Sequence, residues 1–221
     1  KVYFTGHPLI DAIEQQKPKF KSREQFVKEN GLSDKPIIAV LPGSRVQEIE
    51  RMLGIMLEVA NDFKEYQFVV AGASNLPKTH YSSLAKHNIQ VVFNQTYELM
   101  TYARAGIIKS GTSTLESGLF KLPQVVCYKT GAVSFAIGKQ LVKIKYISLV
   151  NLIMDKPIVK ELIQNEFTAK NISAELKRLL SDEVYRNTMI GEYEELIKHL
   201  GGGGASQRIA KYLVEDASTK N

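Results

Sequence analysis

The sequence predicts an α/β fold, a Rossmann-like parallel sheet with helices on both faces. Two observations carry that prediction. From Lys35 onward, short runs rich in β-branched residues alternate with segments of helical period, the pattern of strand-helix units laid side by side. Several of the runs end in Gly, Ser or Thr turns that lead straight into a helix, and the carboxyl edge of a doubly wound sheet, where such turns gather, is where ligands bind. The 221 residues are 44% hydrophobic and 24% charged, which excludes a disordered or fibrous chain and suffices for one large core.

Taken in order, Lys1–Gly6 has no initiator Met and no signal-peptide pattern. Val2, Tyr3 and Phe4 read as a strand already under way, so the expectation is a C-terminal piece of a longer protein. Pro36–Leu41 is the first strand of the sheet. Pro42, Gly43 and Ser44 form its turn, and a helix from about Arg45 to Phe63 places Ile49, Met52, Leu53, Met56, Leu57 and Ala60 on one face. Tyr66–Ala71, Ile89–Phe93 and Ala105–Ile108 are the next three strands. After the last of these, Gly111 supplies a tight turn and Thr112 an N-cap for a helix that Pro123 ends. Gln124–Tyr128 is strand five.

Beyond Lys129 the pattern changes. Val133–Tyr146 is apolar with Lys139, Lys143 and Lys145 interleaved, which fits a core helix with a solvated edge or a segment lying on an anionic membrane surface. Ser148–Ile153 reads as a short strand and loop, and helices open near Asn171 and Asp182. Gly201–Gly204 reads as a hinge, followed by an amphipathic helix, Ala205–Asp216, able to pack away from the body. The expected division is an opening segment (1–34), the Rossmann-like domain (35–200), and the hinge with its terminal helix (201–221).

Charge and residue types then bound the chemistry. Twenty-nine Lys and Arg against 23 Asp and Glu give a net +6, which favours anionic partners. Nucleic acid is one such class, but the Arg residues are scattered and no basic motif is interleaved with aromatics. No apolar stretch reaches the roughly 18 residues of a membrane span. Cys127 is the single cysteine and lies in an apolar run, so it reads as core, with no intrachain disulfide and a reducing compartment.

Two loop-to-helix junctions are candidate phosphate sites: Gly43, Ser44 and Arg45, and Ser110, Gly111 and Thr112. A helix start offers unpaired N–H groups, glycine lets a ligand approach the backbone, and Arg45 adds a planar bidentate donor. Neither junction is a Walker A loop, and no Gly-x-Gly-x-x-Gly follows a strand. Glu116, early in its helix, is placed to accept from ribose hydroxyls beyond a bound phosphate; a helix-dipole partner is the alternative. The four histidines show no ligand spacing and there is no Asp-x-Asp pair, so no metal is expected. His7 with Asp11 forms either a functional loop or a domain-joining turn. Asn151 is a polar residue among apolar ones that needs hydrogen-bond partners if buried.

Together, Gly6–Leu9 with Asp11, Leu41–Arg45 with Glu48, Ser110–Thr112 with Thr114–Glu116, Val126–Lys129, Asn151–Ile153 and Gly204–Ser206 with Arg208 resemble the lipid-A-disaccharide synthase family almost end to end. The resemblance implies the C-terminal, UDP-sugar-binding half of a two-domain GT-B glycosyltransferase. It implies inverting transfer from UDP-2,3-diacylglucosamine to 2,3-diacylglucosamine 1-phosphate, giving a β-1,6 disaccharide 1-phosphate and UDP, without cofactor or metal. It also implies a cytoplasmic enzyme peripheral to the inner membrane, with a homodimer as one candidate assembly and no nucleic-acid partner. Arg45 and Asn151 match its activity residues; Gly43, Ser44, Ser110, Gly111, Thr112 and Glu116 match its nucleotide segments; His7 and Asp11 match an interdomain or acceptor-side segment. Ser113 and Val150 depart from the alanine and proline of the family pattern. Two further readings stand beside it: another GT-B UDP-N-acetylglucosamine enzyme, and a basic nucleic-acid-binding module.

Overall fold

The computed structural model describes residues 3–87, 89–131 and 145–218. Six parallel strands form one sheet: β1 (Ile37–Leu41), β2 (Gln67–Gly72), β3 (Gln90–Phe93), β4 (Ala103–Lys109), β5 (Gln124–Tyr128) and β6 (Lys160–Ile163). Their order is β3-β2-β1-β4-β5-β6, so the chain winds outward from β1 in one direction and then from β4 in the other. Neighbouring strands leave opposite ways at β1 and β4, and the crevice between their carboxyl ends is the topological switch point of the sheet.

Nine α-helices accompany the sheet among the described residues: α1 (Pro8–Gln16), α2 (Arg23–Glu29), α3 (Val46–Glu58), α4 (Thr96–Tyr102), α5 (Thr112–Leu119), α6 (Leu149–Met154), α7 (Ala169–Ser181), α8 (Glu183–His199) and α9 (Ala205–Ser218). The two-residue alternation of β1 divides the core. Ile38 and Val40 face Met52 and Met56 of α3 and Leu176 of α7. Ile37, Ala39 and Leu41 face Phe26 of α2 and Leu99 and Met100 of α4. All five β1 residues are buried, as a central parallel strand covered on both faces requires. Cys127 is fully buried in β5, and burial pushes its thiol up, so it is core and inert.

Several elements differ from the expectation. Tyr3–His7 is irregular chain rather than strand, because it lies against the C-terminal end of the chain instead of a sheet edge: His7 N–H donates to Leu200 O at 3.0 Å, and Tyr3 stacks on Tyr212 of α9. Gly111, not Thr112, stands at the cap of α5, and Thr112 is the first helical residue. Ser148–Ile153 is not a strand; Ser148 caps α6 by accepting from Asn151 N–H at 3.2 Å. An apolar run of this length carries no period that separates strand from helix, so the cap decides. A sixth strand, β6, lies beyond the five that the sequence pattern predicts. α7 opens at the Thr168 cap, two residues before Lys170 and three before Asn171, whose N–H that cap receives. Most of Val133–Tyr146, including Lys139 and Lys143, lies outside the described residues. No helix among the described residues is long and apolar enough to cross a membrane.

Candidate functional site

The switch point is a cleft of about 330 Å³ bounded by three strand ends. From β1 come Gly43, Ser44 and Arg45, with Glu48 one turn into α3; from β2 come Gly72 and Ala73; from β4 come Lys109, Gly111, Thr112 and Ser113, with Glu116 behind them. Thr96 closes one side. The two junctions picked out by sequence are thus brought together on opposite walls of one crevice. A larger hollow, about 680 Å³, opens at the other end of the sheet. It is bordered by Leu57 and Glu58, the last residues of α3, and the carbonyl end of a helix repels anions.

The first wall is shaped by glycine. Gly43 has φ +110°, which disfavours a side chain, and a Cβ there would run into the Glu48 carboxylate. That carboxylate turns back to accept from Ser44 N–H at 3.2 Å and from the Lys109 ammonium at 2.9 Å, with Arg45 Nη1 at 4.0 Å. Burial raises the Glu48 carboxyl, but the Lys109 bond and charge and the Ser44 and Arg45 amides outweigh it and hold the group below its ordinary range. Arg45 itself is 83% exposed and reaches into solvent at the mouth.

On the second wall, Thr112 begins α5 and its side chain is exposed to the cleft, while Ser113 hydroxyl donates to Lys109 O at 3.2 Å. Ser110 does not line the cleft. Its hydroxyl donates to Ile147 O at 2.8 Å and its N–H to Cys127 O at 2.8 Å, so it shapes the turn rather than offering a donor to a ligand. Glu116 accepts from the Tyr97 hydroxyl at 3.0 Å. Burial raises the Glu116 carboxyl above its usual range, with the Tyr97 bond pulling the other way. Tyr97 is pushed up to about 12 by burial and by the Glu116 charge.

Asn151 is 1% exposed and does not line the cleft. Its Nδ2 donates to Val159 O and to Glu161 Oε1, and its Oδ1 accepts from Val159 N–H, each at 2.9 Å. Glu161 also accepts from Ile147 and Ser148 N–H at 2.9 Å, and Ile147 O receives Ser110. A continuous chain of bonds therefore runs from Asn151 through Glu161 and residue 147 to the Ser110 turn. Thr114 adds a second tie by accepting from Leu149 N–H at 3.2 Å.

His7 and Asp11 lie apart from the cleft lining. His7 caps α1, its Nδ1 accepting from Leu9 N–H at 3.2 Å. Asp11 accepts from Gly204 N–H at 2.6 Å and Ser206 N–H at 2.7 Å, while Arg208 Nε donates to Thr5 O at 2.9 Å. Both belong to a clasp between α1 and the start of α9. Sequence reasoning missed Lys109 and Tyr97; a lone Lys at a strand end and a lone Tyr in a short helix carry no motif. Among the described residues no three His, Cys, Asp or Glu side chains group as a metal set.

The same fold occurs in the UDP-GlcNAc 2-epimerase of Neisseria meningitidis bound to UDP-GlcNAc, with TM-score 0.61 and 20% identity over 96% of this chain and 54% of that one. It occurs also in CalG4, the calicheamicin glycosyltransferase, with TM-score 0.56 and 16% identity over 83% of this chain and 45% of that one. Lipid-A-disaccharide synthases of Coxiella burnetii and Anaeromyxobacter dehalogenans are 35% and 36% identical over 96% of the chain. The chain spans 57% and 56% of their lengths. The family model described as lipid-A-disaccharide synthetase matches residues 1–211, a span that takes in both walls of the cleft, the Asn151 network and the clasp, and on this match the chain belongs to the lipid-A-disaccharide synthetase family.

Proposed function

We propose that this chain is the donor-binding half of a lipid A glycosyltransferase, and that the cleft holds the UDP portion of UDP-2,3-diacylglucosamine. The observation that carries the reading is the convergence of two loop-to-helix junctions, one with Arg45 and one with the open start of α5, on a single crevice at the switch point. In the reaction, the bond between the donor sugar C1 and the diphosphate breaks while C1 bonds to the 6-hydroxyl oxygen of 2,3-diacylglucosamine 1-phosphate from the opposite face. The hydroxyl proton passes to a base, and UDP leaves with the electron pair.

This chain's share is the leaving group. Arg45 and the α5 amides meet negative charge that grows on the diphosphate as the bond breaks, which lowers the barrier more than it aids ground-state binding. Glu116 accepts from the ribose. Asn151 acts at a distance, fixing the Ser110 turn through Glu161. The general base is assigned to the rest of the protein. We place the enzyme in the cytoplasm, at the inner-membrane surface where acylated substrates reside, and working without metal because cationic side chains and helix amides supply the neutralisation.

Calorimetric titration of this chain with UDP, in Mg²⁺ and again in EDTA, tests the reading. Saturable binding unaffected by EDTA is expected. Binding that vanishes in EDTA would overturn the metal-free site, and absence of binding in both would overturn the assignment of a preformed donor site to this chain.

A further inference from the structure

Lys109 is the last residue of β4 and its side chain is only 19% exposed. Its Nζ stands beside the Gly111 turn, 3.8 Å from where a Cβ on that glycine would sit, and so borders the amides that begin α5. Its partner, Glu48 Oε1 at 2.9 Å, comes from the opposite wall of the cleft. Glu48 thereby collects one ammonium and the Ser44 N–H, with the Arg45 guanidinium 4.0 Å away. A single carboxylate holds the donors that would meet an anion entering from solvent.

We propose that Lys109 is a diphosphate-binding residue and that Glu48 is its internal stand-in for the anion, surrendering the ammonium when a diphosphate enters. The inference rests on the donor-site reading above and assigns to the site a cation that lies outside the segments on which the family resemblance rests. A diphosphate carries more negative charge than one carboxylate and lies within reach of a four-carbon side chain, so the lysine transfers to it while Glu48 keeps Ser44 N–H and the shape of the Gly43 turn. Partial desolvation strengthens this exchange, since a shielded charge is screened less by salt. Until the exchange, Glu48 neutralises Lys109 and keeps an unpaired cation out of a half-buried position.

An ion pair that only ties β4 to α3 makes a different prediction, and the sign of one substitution separates the two. Calorimetry with UDP and with uridine on the parent, Lys109→Met and Glu48→Gln, with thermal melting of each, is the test. Lys109→Met is expected to weaken UDP binding about tenfold, the loss of one charge-assisted contact, with uridine binding unchanged. Glu48→Gln keeps an acceptor for Ser44 N–H but releases Lys109, and is expected to tighten UDP severalfold. UDP affinity that falls in Glu48→Gln, or stays at the parent value in Lys109→Met, overturns the exchange while leaving the donor site standing. A parent chain that binds neither ligand overturns both. If Lys109→Met melts below the assay temperature, the direction of the Glu48→Gln change decides alone.

Discussion

Glu48 and Asp11 perform the same elementary task in two regions, each a carboxylate beside a glycine-containing turn that accepts backbone N–H groups. At the clasp, Asp11 is 8% exposed and receives Gly204 and Ser206 at 2.6 and 2.7 Å. The donors are Gly204 and the first turn of α9, and none of Asp11, Gly204 and Ser206 lines the switch-point cleft. At the cleft, Glu48 receives one amide and one ammonium at 3.2 and 2.9 Å, and its donors face an open crevice. The clasp has found its final partners; the cleft holds donors that a ligand can take. Satisfaction alone therefore does not mark a structural carboxylate, and what distinguishes the two is whether the donors also border open volume.

The comparison breaks first at Asn151, which has the closed character of the clasp although the family resemblance implies a part in activity for it. Truncation to Ala removes the side-chain partner of Val159 N–H and of Val159 O in a buried place and one of the donors to Glu161, which keeps Ile147 and Ser148 N–H, a loss of about 3 kcal/mol. In a chain of this size that lowers the melting temperature by about 10 °C. UDP affinity should fall with it because the Ser110 turn is attached to the same network. Retention of the parent melting temperature with loss of UDP binding would move Asn151 from the closed class to the open one.

Arg45→Ala is the reciprocal case. The side chain is 83% exposed, so the fold does not depend on it, and melting should be unchanged. UDP affinity should fall about thirtyfold, near 2 kcal/mol for a charged contact to phosphate. Calorimetry paired with melting reads both, and equal affinity in parent and variant would remove Arg45 from the site.

How much of this was legible follows the same division. The open site was visible in the sequence because strand-end glycines, Arg45 and the Ser110 to Thr112 turn are local signals, readable within a few residues. The closed partners were not, because they depend on pairings far along the chain. Asp11 meets residues 204 and 206, Asn151 meets a strand whose residues Lys160 and Glu161 look like surface, and the Ser110 hydroxyl, read as a ligand donor, is claimed by residue 147. Lys109 was invisible for the opposite reason: its meaning lies in facing Glu48 across a crevice that only the β1–β4 switch creates.

Asp11→Asn sharpens the clasp side with a smaller effect. The Ser206 amide and hydroxyl, then the Gly204 and Ala205 amides, hold the Asp11 carboxyl below its ordinary 3.8 despite burial. A carboxyl lowered on folding stabilises fully above its unfolded value and ceases to do so as pH falls through the lowered one. The melting temperature of the variant should lie below the parent by a constant margin at neutral pH, and the margin should close in acid below 3.8. UDP affinity should not change. A margin independent of pH would mean that shape rather than charge holds α9 to α1.

The smallest effect belongs to Tyr97→Phe, and its sign is opposite to that at the clasp. Glu116 is raised because burial outweighs the Tyr97 bond, so, unlike Asp11, it favours the protonated form in the folded chain. Protonation of Glu116 removes an acceptor for ribose, and nucleoside binding should therefore weaken at a pH above the ordinary carboxylate value of 4.5. Without the Tyr97 hydroxyl the carboxyl rises further, and the loss should begin at a still higher pH, with affinity near the parent's once Glu116 is ionised. Uridine is the ligand for this titration, because it carries no phosphate whose own ionisation would overlie that of Glu116. Identical pH profiles in parent and variant would show that Glu116 does not receive the ribose, and would leave the nucleotide held by its diphosphate contacts alone.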